Sequence, residues 1–177
     1  MALNEMEEEH RRYEEAGRTR RRHLTDAALQ VPIKALPHEE PLRLPADAPV
    51  AEAIRLMQAH RRGAVLAMAG DRIAGIFTER DVLLKVAGRA VEPARAKLRE
   101  HMTPDPVVLH DSDPIGLALN KMSIGGYRHI PIVDADGAPV GMLELPEVGR
   151  YLAEFFPETA VNLPPDSRAV ADEAHGG

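Results

Sequence analysis

The sequence predicts an α/β fold in which one unit of strand, helix, strand, strand and helix is used twice. Three observations predict it. First, the chain matches itself: Pro41-Leu42-Arg43-Leu44 aligns with Pro106-Val107-Val108-Leu109 at an offset of 65 residues, and Pro49, Val50, Ala53, Ile54 and Met57 meet Pro114, Ile115, Ala118, Leu119 and Met122 at the same offset. Second, those apolar positions fall at helical spacing on one face. Third, each helical pattern is followed by two apolar runs separated by turn chemistry.

The elements follow in order. Residues 1–28 read as a charged helix, in which Glu7–Arg11, Glu8–Arg12 and Glu14–Arg18 stand at i,i+4 with the acid first. It has few apolar residues to dock, so it reads either as a solvated helix or as an arm for oligomerisation or partner binding. The Arg18–Arg22 cluster offers a short basic patch for nucleic acid. The first repeat spans 29–90 and the second, with its linker, 91–156. Each opens on a short strand (42–44 and 107–109). Asp113 reads as an N-cap with Pro114 at the first helical position. The hairpins join 64–68 to 72–77 and 130–133 to 139–143, through Ala69-Gly70-Asp71 and Asp134-Ala135-Asp136-Gly137. After one inserted residue the offset becomes 66, so that Arg62 meets Arg128 and Gly75 meets Gly141. The second helices begin near Asp81 and Glu147. Segment 87–101 reads as a polar linker with a short helix, and 157–177 as a Pro-rich surface tail. One such unit cannot bury both faces of its sheet, so the two copies should pack together.

Composition bounds the chemistry. The chain has 177 residues, 44% of them apolar but only 3% aromatic, so its core is aliphatic. It contains no Cys, which excludes disulfides, thiolate metal sites and a Cys nucleophile and is consistent with a reducing cytoplasm. The net charge of −6 argues against a nucleic-acid surface. No apolar stretch is long enough to span a membrane, and the first residues do not form a signal peptide. None of the three Ser lies in G-x-S-x-G, the phosphate-loop and dinucleotide glycine patterns are missing, and no two of the eight His stand at i,i+4. Neither a catalytic set nor a metal site is expected.

The run Gly75-Ile76-Phe77-Thr78-Glu79-Arg80-Asp81 is the most informative segment. An apolar strand ends in a hydroxyl, and a carboxylate follows three residues later where a helix begins. Such a pair can either cap the helix or grip two adjacent hydroxyls of a sugar.

This run, Met102-Thr103-Pro104, and Tyr127-Arg128-His129-Ile130-Pro131-Ile132-Val133-Asp134 resemble the CBS-domain family, named after cystathionine β-synthase. With the helix patterns the resemblance covers about residues 30–156. It implies tandem CBS repeats packed into one module, a homodimeric disk, and a regulatory, signalling role in which an adenosine compound binds between the repeats. It implies that Thr78 and Asp81 hold a ribose and that Arg62 and Arg80 meet phosphate. Ile76 would pack on the base, with Thr103 and Val108 facing one edge of the ring and Arg128 and His129 the other. The ligand expected is AMP, ADP or ATP, and S-adenosylmethionine is an alternative. In the second copy Glu144, Pro146 and Glu147 replace Thr78, Arg80 and Asp81, so that cleft is expected to be degenerate, closed by a Glu144–Arg128 pair or open to a ligand without phosphates. The output would pass to an unidentified effector protein. The rival reading is a dimeric scaffold without a physiological ligand, and a third is a nucleic-acid-responsive regulator using Arg18–Arg22.

Overall fold

The structure, a computed structural model, describes residues 25–155. The chain divides into two compact units. One spans 26–149; of the other, Thr25 and 150–155 are described, and the latter set the rings of Tyr151 and Phe155 edge to face at 5.2 Å. The charged helix expected over 1–28 lies outside the described residues except for α1 (Asp26–Leu29), and the tail 157–177 lies outside them entirely.

The first copy comprises β1 (Arg43–Pro45), α2 (Val50–His60), β2 (Ala64–Ala69), β3 (Arg72–Thr78) and α3 (Glu79–Asp81), which widens into a π turn over Val82–Val86. α4 (Leu98–His101) and β4 (Thr103–Pro104) lead into β5 (Leu109–His110), α5 (Ile115–Gly125), β6 (His129–Val133), β7 (Pro139–Glu144) and α6 (Leu145–Ala153). One sheet has the order β1-β2-β3-β4 and the other β5-β6-β7. In each, the first strand runs parallel to the second, which the helical crossover permits, and the next two form an antiparallel hairpin. The short helix expected in the linker is α4.

Both faces of β2 are buried, as its apolar run requires. Val65 and Ala67 join Val50, Ala53 and Met57 of α2 in the first core, with Phe77 and Leu98. Ala64 and Leu66 face the other way and meet Ile76 and Met142 of β7. The two sheets therefore share a core, and the copies pack together as their size demands.

The repeat is more regular than the sequence suggests. α2 and α5 start 65 residues apart, and each ends in a left-handed residue, Arg61 (φ 52°) and Gly126 (φ 67°). The parallel ladders pair Leu44 with Ala67 and Leu109 with Ile132, still at that offset. Only after the hairpin turn does it become 66, with Ile76 opposite Leu66 and Met142 opposite Pro131. The inserted residue thus sits in the second turn, where extra length costs little. This corrects the alignment at Arg62: its counterpart is Tyr127, and Arg128 corresponds to Gly63.

The helix starts also differ from expectation. Pro114 occupies the N-cap position, and the Asp113 carboxylate instead accepts from the His110 backbone N–H at 2.8 Å. The first N–H groups of these helices, which have no partner within the helix, find main-chain acceptors: Val50 donates to Ala96 and Ile115 to Val31, each at 2.9 Å. α3 and α6 start at Glu79 and Leu145, two residues before the expected positions, because the acids serve at the third helical position rather than as caps.

The segment before each copy reaches the other copy's hairpin. β4 pairs with β3, placing Pro104 opposite Gly75 and Thr103 opposite Ile76, while Glu39 bridges to Met142. A Cβ on Gly75 would meet the Met102 thioether and lie 2.8 Å from the Thr103 carbonyl oxygen, so the strands approach this closely only at glycine.

Candidate ligand cleft at the Thr78–Asp81 corner

Thr78 ends β3 and caps α3. Its backbone N–H donates to Asp81 Oδ2 at 2.9 Å, its hydroxyl donates to the same oxygen at 2.7 Å, and the Asp81 N–H returns to Thr78 Oγ1 at 3.3 Å. This reciprocal box satisfies two helix N–H groups. Asp81 is only 7% exposed, and its other oxygen, Oδ1, accepts from Lys85 Nζ at 2.7 Å. Lys85 also donates to the carbonyls of His101 at 2.9 Å and Met102 at 3.2 Å.

The corner opens into a cleft of about 340 Å³, at the small end of the range for ligand sites. Seven of the nine sequence candidates line it: Ile76, Thr78, Arg80, Asp81, Thr103, Arg128 and His129. Strand pairing sets Thr103 opposite Ile76, whereas His129, the first residue of β6, lies against Gly63, whose carbonyl accepts from the Glu79 N–H just after β3. Arg80 and Arg128 are exposed, with Glu79 and Asp105 sharing the lining. Asp105 adopts φ 45°, a left-handed conformation that Asp tolerates better than most residues, and this turns the chain between β4 and β5.

The structure does not bring the other two candidates to the cleft. Val108 is exposed beside it, and its neighbours Pro106 and Val107 take the lining positions. Arg62 turns away at the left-handed end of α2. Its Nε donates to Glu144 Oε1 at 2.7 Å, its Nη1 also meets Glu39 Oε2, and its side chain is 10% exposed. Glu144 is therefore engaged by Arg62 and not, as expected, by Arg128. A guanidinium so nearly buried requires such carboxylate partners. The second copy keeps the backbone half of the box, since the Glu144 N–H donates to Glu147 Oε2 at 2.8 Å.

His129 lies against Gly63, where a Cβ would stand 2.7 Å from Nε2. Burial lowers its pKa below the usual 6.5, an effect opposed by Glu144 and Glu79 and reinforced by Arg62 and Arg128. Burial thus favours the neutral imidazole, which offers one donor and one acceptor. Sequence reasoning missed Lys85, Tyr127, Asp105 and Gly63. Lys85 stood four residues after Asp81, a spacing that could have revealed it.

A family model described as CBS domain matches residues 33–88 and 98–154. The chain belongs to the CBS domain family. The meiotically up-regulated gene 70 protein of Schizosaccharomyces pombe is 33% identical over 136 residues, which is 77% of this chain and 18% of that protein. This CBS pair spans about a fifth of the length of the first curated relatives it matches. Among solved structures, a protein with CBS domains from Burkholderia ambifaria MC40-6 is 28% identical with a TM-score of 0.61, over 68% of this chain and 89% of that one. CBS domain protein PAE2072 from Pyrobaculum aerophilum, complexed with AMP, is 24% identical with a TM-score of 0.63, over 72% and 99%. That likeness shows the shared fold. Among the described residues no helix is long and apolar enough to cross a membrane.

Proposed function

We propose that this CBS pair is a non-catalytic regulatory module that takes AMP, ADP or ATP in the cleft at the Thr78–Asp81 corner. The observation that carries this reading is the meeting of that hydroxyl–carboxylate corner with Arg128 and His129 across one cleft. Thr78 and Asp81 would hold the ribose diol, Arg80 and Arg128 the phosphates, and Ile76 and Thr103 would flank the base. The AMP complex of PAE2072 supports the ligand class. Arg62 is withdrawn from this role by its pairing with Glu144 and Glu39. The second cleft is degenerate, because Glu144 places a carboxylate, already held by Arg62, where the first copy has a hydroxyl.

Binding would favour one arrangement of the repeats, and a partner protein would read it. A groove lined by Ile54, Met57, Val82 and Leu83, beside the exposed Leu84, supports a homodimer. A thermal-shift series with AMP, ADP, ATP and S-adenosylmethionine tests the reading: a ligand that binds the native state raises the melting temperature. No shift with any of them at millimolar concentration would favour the alternative, a scaffold without ligand. That alternative draws on the capping box, which already gives Thr78 and Asp81 a structural purpose.

A further inference from the structure

The Asp81 carboxylate has about four lone-pair directions. Oδ2 accepts twice from Thr78, and Oδ1 accepts once from Lys85. One direction remains, on Oδ1, whereas a diol needs two acceptors. The second can come from turning the Thr78 hydroxyl, a rotation about one bond. Freeing it by expelling Lys85 would break a charge-assisted contact and two hydrogen bonds to carbonyls. Turning the hydroxyl costs less, so the ammonium stays.

We propose that Lys85 is the positioning residue of this cleft: without touching the ligand, it clamps Asp81 to the segment His101–Thr103 and so aims the carboxylate at the sugar. The proposal rests on the nucleoside reading above. The clamp joins two walls, since Asp81 belongs to α3 and Thr103 to the strand that pairs with β3 opposite Ile76. The π turn over Val82–Val86 carries Lys85, and such a wider turn is a recurrent feature of functional sites. Lys85 Nζ also stands 3.5 Å from Thr103 Oγ1, at the edge of the cleft. At the offset of 66 the second copy has Tyr151 in place of Lys85, so the device is particular to the first.

The test uses adenosine and 2′-deoxyadenosine with wild type, Lys85→Met and Lys85→Arg, read by calorimetry, together with amide hydrogen exchange of the ligand-free proteins. Wild type is expected to prefer adenosine by roughly tenfold or more, the worth of one charge-assisted hydrogen bond. Lys85→Met should bring that ratio toward one and speed exchange at 101–103, and Lys85→Arg should restore both. A Lys85→Met protein that weakens both nucleosides equally, leaving the ratio intact, overturns the proposal, because a merely structural lysine would do that. If wild type does not discriminate between the two nucleosides, the diol reading has failed, and the clamp is judged on exchange: unchanged protection at 101–103 in Lys85→Met overturns it.

Discussion

Arg62 and Glu144 lie far apart in the chain and belong to different copies of the repeat, yet Arg62 Nε stands 2.7 Å from Glu144 Oε1. The guanidinium expected at a phosphate of the first cleft is instead held by a carboxylate of the second copy.

Breaking that pair should be costly. Arg62→Ala leaves Glu144 without its partner and is expected to destabilise the protein by about 2 kcal/mol, below the roughly 3–5 kcal/mol of a fully buried pair because Glu144 keeps some contact with water. Urea denaturation of Arg62→Ala, Glu144→Ala and the double variant gives the coupling energy. A coupling near zero would show that the pair contributes nothing.

His129 gives stability a pH dependence of known sign. Its pKa is lowered in the folded protein, chiefly by burial, so the unfolded chain takes up the proton more readily. This contribution is fully present above the unfolded value of 6.5 and is lost as pH falls from there toward the lowered folded value. The midpoint of urea unfolding should drop between about pH 7.5 and about pH 5.5, and His129→Gln should flatten that drop. An unchanged slope in His129→Gln would assign the dependence to other groups.

Gly75 should resist substitution. Gly75→Ala presses a methyl group into the Met102 thioether and the Thr103 carbonyl, with an expected loss of about 1–3 kcal/mol. Met102→Ala relieves only the side-chain half of that clash, so the double variant should not recover through it. Full recovery in a thermal melt would show that β4 does not hold its place.

The two exposed arginines should act on phosphate alone. Arg80→Ala with Arg128→Ala is expected to lower the affinity for AMP to about that for adenosine, leaving adenosine nearly unchanged. Equal losses for both ligands would place the arginines elsewhere in the complex.

Much of this was legible in the sequence because it rests on local patterns. The apolar spacing of Val50, Ala53 and Met57 is a helical period, and the run from Gly75 to Asp81 carries its own strand end and capping box. The parts that were misread depend on contacts between distant segments. The position of the inserted residue could not be placed at Arg62 or at the hairpin without the strand register, and this one ambiguity misassigned the partner of Glu144. Asp113 carried the right chemistry for a cap, but a backbone carbonyl from Val31 met the helix first. Lys85 was readable as an i,i+4 partner of Asp81, whereas its reach to His101 and Met102 appears only once β4 lies beside β3.

Calorimetric titration of AMP into wild type, Asp81→Ala and Glu147→Ala tests the central claim most directly. One site per chain in wild type and in Glu147→Ala, with binding abolished in Asp81→Ala, is the expected result. Undiminished binding in Asp81→Ala, or a loss confined to Glu147→Ala, would contradict it.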